Sequence, residues 1–502
     1  MMGRHKFATK LYYNLSLDGL VRRNHLLRLI ANAVDFSFIY ELARRYYSYT
    51  GQPSIDPVVL FKTLLIAYLY GVTSERRLMD EIQDNLAYRW FLGYDLDEQI
   101  PDHSVLSKAR VRFGPDVFES FFNRTVKLCQ AAGLVRGDAV FMDSTLFLAN
   151  ASMDALEPFD SPPIEPRQFI ERVFSENPVA EEPEPGPATG ASRYRKEARK
   201  PKTKQAPANR RERSRTDPEA SIMRHPGIGT HLAYKAHVAV DDHPARVITA
   251  AVVTPGATAD EHLLNELLWR HRRIVGRLPE DVVADRKYGT MENYSYLAQL
   301  GLHAVMPDRM GPKRHPGGVW SIADFKYDAE KDAYECAAGQ WLPHVYTRPS
   351  DRTSSYIAPP NVCESCQFRS QCSPSGKPRT LRRHMDRVYL EAAAQWLESE
   401  QGRWRFKQRK VYIETTFAWA KDLHGLRRAQ WRGRWKVQIQ VWLTAAAMNL
   451  KKLAKATGVE PGIPKLSRVS LAATLGHRLA LVVRHLFSHK DHFVNKPKEC
   501  PT

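Results

Sequence analysis

The chain has 502 residues, with 74 Lys+Arg against 55 Asp+Glu and a formal charge of +19. That length holds two or three domains, and the basic balance suits a polyanion, for which nucleic acid is the default partner. There is no apolar run of signal-peptide or membrane-spanning length, and six cysteines make no disulfide scaffold, so the expectation is a cytosolic protein with reduced thiols and no membrane partner.

Residues 1–135 read as helical. Asp56-Pro57 is a good helix start, and Val59, Leu60, Thr63, Leu64, Ala67 and Tyr68 make a helical stripe that stops at Gly71. Thr73 and Ser74 can cap a second helix carrying Leu78, Ile82 and Leu86. A third begins after Pro101-Asp102-His103-Ser104 and shows Lys108, Arg110 and Arg112. Short helices with tight turns and a basic last helix fit a helix-turn-helix-like DNA reader, in which these three cations would face DNA. A plain helical bundle for dimerisation fits equally.

After Gly137 the period becomes extended. Ala139 to Met142 form a buried-strand run that ends on Asp143-Ser144-Thr145. Asp143 there either caps a turn or faces a cleft. Residues 152–218 are rich in proline and alanine with segregated charge: nine acidic residues from Asp154 to Glu184, then eleven basic ones from Arg193 to Arg215. That pattern predicts a disordered or loosely ordered insertion, either a solvated linker or a segment whose basic half lies along nucleic acid. Tyr234–Val240 and Arg246–Val253 then alternate as a hairpin around Asp241-Asp242-His243-Pro244. A helix from Asp260, a strand run Asp281–Ala284 ending on Asp285, a helix from about Glu292 to Leu300 and a strand His303–Met306 complete an α/β pattern.

Residues 311–380 interrupt that domain. Cys336, Cys363, Cys366 and Cys372 stand as C-x26-C-x2-C-x5-C, and four thiolates can enclose a tetrahedral zinc; buried free thiols are the alternative. The stretch Lys410–Gly433 follows, a helix running into a basic turn. Glu414, Phe417 and Lys421 share one helical face, which on an aromatic-rich helix is expected to point inward. Arg427, Arg428, Arg432, Arg434 and Lys436 come next, with Trp431 and Trp435 between them, as suits holding phosphates and stacking on bases. A solvated basic helix end would look the same.

Asp143, Asp285 and Glu414 are far apart in sequence, yet each falls where an α/β sheet would present it to one cleft. Gathered carboxylates attract hard divalent cations, and a pair of such ions supports in-line phosphoryl displacement. Here the chain resembles DDE transposases of bacterial insertion sequences, with the closest likeness to the insertion sequence 1182 group. The likeness runs through PSIDPVVLFKTLLIAYLYGVTSERRL, IPDHSVLSKARVRFG, FMDSTLFLANAS, HLAYKAHVAVDDHPARVITAAVVTPGATADEH, VVADRKYGT and YIETTFAWAKDLHGLRRAQWRG, up to about residue 455.

The resemblance implies a multidomain chain: a helical N-terminal domain (1–135) for DNA-end binding or dimerisation, and a ribonuclease-H-like α/β catalytic domain. The catalytic domain would run from 136 to 310, interrupted by the charged insertion, and resume at 381–455 after the Cys-rich insertion. A tail at 456–502 has no assigned role. The triad Asp143, Asp285 and Glu414 would bind two Mg²⁺ or Mn²⁺ ions, and Lys421 matches the Glu-x6-Lys ending of a Tyr-x2-Arg-x3-Glu-x6-Lys signature. Upstream the chain departs from it, with Lys407 and Lys410 where tyrosine and arginine would fall. The implied activity is cleavage at the element's terminal inverted repeats and strand transfer to target DNA. A homodimer on DNA, in a bacterial cytoplasm and at the nucleoid, is implied as well. A metal-dependent nuclease of the same fold and a non-catalytic DNA-binding protein are the alternatives.

Overall fold

A computed structural model describes residues 16–48, 50, 54–159, 207–225, 229–309, 320–373 and 376–458. The N-terminal region is helical: α1 Leu26–Ala33, α2 Phe38–Ala43, α3 Pro57–Tyr70, α4 Glu75–Asp84, α5 Leu86–Leu92 and α6 Ser104–Ala131. Its boundaries follow local chemistry. Asp56 accepts from the amides of Val58 and Val59, Pro57 fills the first turn, and Gly71 at φ +68° ends α3. Ser74 accepts from the amide of Arg77 to start α4. Leu86 does not extend α4; it opens α5 behind an Asn85 cap and is exposed. Gly114 and Pro115 break α6 into two segments. Helix α3 is apolar on nearly every side because it is enclosed, with Phe61 packed on Phe113, Phe118 and Phe121. Among the described residues no single helix is long and apolar enough to cross a membrane.

The α/β region is built on strands β1 Ala139–Leu148, β2 Ser221–His225, β3 Gly229–Asp241, β4 Ile248–Pro255, β5 Asp281–Val283 and β6 His303–Val305. Their order across the sheet is β4-β3-β1-β5-β6, and β2 also pairs with β3. The first two junctions are antiparallel and the last two parallel. Strand β1 does not stop at Asp143 as its apolar run suggests. It continues to Leu148 because β3 is long enough to pair Asp143 with Val238 and Leu148 with Ala233. Helices α7 Leu264–Val275 and α8 Met291–Gln299 connect the later strands.

Two insertions differ from expectation. Both flanks of the charged insertion are ordered: Leu156–Pro158 pairs antiparallel with Glu212–Ser214, and buried Asp217 accepts from the Tyr234 hydroxyl. Proline-rich composition hid these short pairings. The middle of that insertion, residues 160–206, lies outside the described residues. The Cys-rich stretch contains an antiparallel meander, β7 Lys326–Asp328, β8 Ala333–Glu335, β9 Trp341–Arg348, β10 Thr353–Ile357 and β11 Thr380–His384. It closes on its own small core of Phe325, Tyr334, Leu342, Tyr356 and Leu381.

Beyond it come α9 Arg387–Glu398, α10 Glu400–Arg409, a π-helical turn Lys410–Glu414, α11 Thr415–Leu423 and α12 Arg434–Thr457. Helix α12 packs on β4. Asn449 bonds both backbone groups of Ile248, and the Trp442 indole N–H donates to the Ala251 carbonyl. The tail expected at 456–502 lies almost wholly outside the described residues.

Candidate active site

Strands β1 and β5 run side by side in parallel, with Phe141 opposite Val283. Two residues further along each, that register brings Asp143 level with Asp285, on the same side of the sheet. Asp285 accepts from the Lys287 amide and so starts a tight turn, Arg286–Tyr288. The turn lies close to the chain behind it: a Cβ on Gly289 would collide with the Pro307 carbonyl oxygen and stand 2.8 Å from the Tyr294 hydroxyl. Asp143 accepts from the Ser144 amide at 2.7 Å. Burial pushes its carboxyl up to about 6, and the nearby charges of Asp285 and Asp260 push the same way.

Asp260 is a third carboxylate at this end of the sheet, and in the sequence it reads only as a helix start. It is buried and bonded to Lys235 Nζ at 2.9 Å and Ser144 Oγ at 2.9 Å, with Lys287 Nζ at 3.2 Å. Burial raises its carboxyl, but the hydrogen bond and charge of Lys235, with Ser144 and Lys287, outweigh burial and leave it below the usual range. The signal was present in the hairpin: Lys235 and His237, two apart on a strand, put two polar groups on one buried face.

Helix α10 reaches from the start of β5 to Asp143. Arg405 bridges Asp242 at 3.1 Å and Asp281 at 3.0 Å, and Tyr412 stacks on Phe141 at 4.4 Å. Arg409 places its guanidinium 2.7 Å from Asp143. Sequence reasoning missed Arg409 because Lys410 occupies the signature's arginine position. The cation directed at β1 is Arg409, at the end of α10, while Lys410, the first residue of the π turn, is exposed. Glu414 ends the π turn. It is exposed, not inward-facing as expected, and makes no hydrogen bond or ion pair among the described residues. Lys421 is half-buried, and burial, then Arg427, lowers its pKa. Among the described residues, no three His, Cys, Asp or Glu side chains are gathered as a metal cage.

The basic turn docks on the end of β1: Leu148 donates to the Arg427 carbonyl and accepts from the Ala429 amide. Its cations are partly engaged. Arg427 pairs with Asp422 and Arg434 with Glu219, while Arg432 Nε donates to the Asn150 carbonyl at 3.0 Å. Arg428 is exposed, with one weak bond to the Ala149 carbonyl.

Of the three cations expected on the N-terminal reader, Lys108 and Arg112 are exposed, and Arg112 lies over Tyr47. Arg110 requires a correction. It is 4% exposed, ion-paired with Glu75 and stacked 4.1 Å over Trp431. Neither Arg110 nor the face of Trp431 that it covers is presented to a base.

Cys336 follows β8, Cys363 and Cys372 lie in one-turn helices, Cys366 lies between those helices, and all four are free. Burial raises the Cys372 thiol, and the charges of Cys363, Cys336 and Cys366 raise it further; Cys336, Cys363 and Cys372 all pack against the small core of the meander.

A family model described as a transposase domain (DUF772) matches residues 15–112, and one described as a transposase DDE domain matches residues 335–454. The chain carries two transposase domains. The first holds α1 to α5 with Lys108, Arg110 and Arg112; the second holds the four cysteines, Glu414, Lys421 and the basic turn. Asp143 and Asp285 fall between them. No curated protein matches the chain. Among solved structures, the cryo-EM structure of a piggyBac transposase synaptic complex with hairpin DNA matches at 11% identity and a TM-score of 0.33. That match covers 95% of this chain and 86% of that one, a likeness too slight to bear on the site's geometry.

Proposed function

We propose that this protein is a DDE transposase of a bacterial insertion sequence, of the insertion sequence 1182 group, acting at the nucleoid as a homodimer on DNA. It would cleave DNA at the element's terminal inverted repeats and join the 3′-hydroxyl ends to a target. The observation that carries this reading is the register of Asp143 and Asp285 on parallel neighbours, in a chain that carries two transposase domains. The strand order β4-β3-β1-β5-β6 is the one a ribonuclease-H-like domain uses.

The donor set fits hard cations such as Mg²⁺ or Mn²⁺. Two aspartates in register repel one another, burial has already raised one of them, and Glu414 on the overlying helix has a carboxylate without a partner among the described residues. A bound pair of such ions activates a water or 3′-hydroxyl and stabilises the leaving oxygen of a phosphodiester. Asp143 and Asp285 would hold the ions from the sheet and Glu414 from the helix. Arg409 neutralises Asp143 from the same helix, and Asp260 fixes Lys235 and Lys287 beside the pair. Lys421 would contact a phosphate of the bound strand. The four cysteines would hold one structural zinc that pins the meander, a reading supported by the packing of Cys336, Cys363 and Cys372 against one small core.

The test is labelled DNA with element ends, with and without Mg²⁺. Wild type is expected to cut and to yield joined products, and Asp285→Asn to bind without cutting. Cutting without joining would make the protein a nuclease. Normal cutting by Asp285→Asn would remove the carboxylate site from the account.

A further inference from the structure

The two cationic stretches singled out in the sequence, on α6 and after α11, are neighbours in space. An open groove of about 640 Å³ lies between them, lined by Ser107, Lys108, Val111, Asn150, Arg432 and Lys436, with Arg110 and Trp431 also in its wall. Ser107, Lys108, Arg110 and Val111 fall in the stretch matched by the first transposase model, Trp431, Arg432 and Lys436 in that matched by the second, and Asn150 lies between the two. Among the described residues no carboxylate lines the groove. Lys108 is exposed and has no hydrogen bond or ion pair among the described residues. Arg432 is tethered by Nε to the Asn150 carbonyl, which leaves its two terminal nitrogens for a ligand. Asn150 is itself held, its amide donating to the Gln430 carbonyl at 2.9 Å. Between the walls, Arg110 on Trp431 with Glu75 behind it fixes their spacing.

We infer that this groove is a single binding site for the phosphate backbone of duplex DNA, shared by both domains. The inference rests on the transposase reading and goes beyond it. Lys108 is then a phosphate contact rather than part of a base reader, and the two walls grip one stretch of backbone together. A volume of this size accommodates a sugar-phosphate strand, and three cations on walls that carry no carboxylate among the described residues suit consecutive phosphates better than a neutral or zwitterionic ligand. Phosphate contacts carry no sequence information, so the groove should hold any duplex.

The experiment is fluorescence anisotropy of the full-length chain with labelled 30-base-pair duplexes, one carrying the element's end and one random, without divalent ions and across salt concentrations. Lys108→Ala and Lys436→Ala are each expected to weaken both duplexes by the same factor and to lower the salt slope by about 0.9. Lys108 is exposed and Lys436 half-buried, so folding is checked by an unchanged melting temperature, and Lys108→Glu provides a stronger second perturbation. The shared site is overturned if only one wall's variant changes the slope, or if Lys108→Ala alters the ratio of end to random binding. It is also overturned if Lys108→Glu binds both duplexes as wild type does. Such a result, with Mg²⁺-dependent cutting intact and lost in Asp285→Asn, would refute the groove and leave the transposase reading standing. Equal binding of an RNA duplex, with no preference for DNA, would overturn the stated ligand.

Discussion

Replacing Arg110 by alanine tests whether the residue works inside the protein or on DNA. Its guanidinium is enclosed, paired with a Glu75 side chain that is itself only 22% exposed, and stacked on Trp431. Truncation leaves Glu75 largely buried without a partner, and breaking such a pair costs about 3–5 kcal/mol. Residual solvent around Glu75 puts the expected loss at the lower end, about 3 kcal/mol, with the cation–π contact of about 1–2 kcal/mol already inside that figure. Urea unfolding followed by tryptophan fluorescence should show an earlier transition. The double change Glu75→Gln with Arg110→Met removes the stranded charge and keeps the aliphatic packing, so it should recover about half of the loss. An Arg110→Ala protein that unfolds as wild type does, yet loses preference for one DNA sequence, would refute this reasoning and restore the arginine as a base reader.

Gly289→Ala should force the turn after Asp285 away from Pro307, costing about 1–3 kcal/mol and reducing cleavage while DNA binding is kept; a normal cleavage rate would contradict the close approach. Burial pushes both His271 and His424 down to about 4, so the folded protein resists protonating them while the unfolded chain takes protons from about pH 6.5. Stability is therefore full above pH 6.5 and falls as pH drops towards 4, by about 2 kcal/mol per histidine at pH 5. Melting temperatures between pH 7 and 5 measure this, and His424→Gln should flatten the profile. Metal analysis of protein purified without chelator should find about one zinc per chain, and Cys366→Ser should lose it; a metal-free wild type with four titratable thiols would leave plain free cysteines.

What the sequence revealed and what it hid divide by range. The caps at Asp56, Ser74 and Gly71 and the stripe of α3 were legible because each is settled within one or two turns. The extent of β1 was not, since its second half is held by a partner strand more than eighty residues away. That Asp143 and Asp285 lie near one another could be read from their position after apolar runs. Asp260, by contrast, looked like a helix start, and its meaning depends on lysines from two other elements. Glu414 was expected to face inward with Phe417 and Lys421, but the buried side of this helix runs through Ile413, Thr416 and Ala420, which leaves Glu414 exposed. Arg110 shared the exposed look of its neighbours until Trp431, near the other end of the chain, covered it.

The dependence of β4 on α12 has a consequence for how the protein is made. Ile248 receives its Asn449 partner from 201 residues downstream. At about 5–20 residues per second, that partner follows roughly 10–40 s after the strand has been synthesised. For that interval the apolar outer face of the strand, and the end of β1 that awaits Arg427 and Ala429, have no cover from the chain itself. A growing chain in this condition is a substrate for chaperones and a hazard for aggregation. Loss of only the segment after about residue 430 would leave nearly all of the candidate site residues in the polypeptide, but without the helix that closes their sheet.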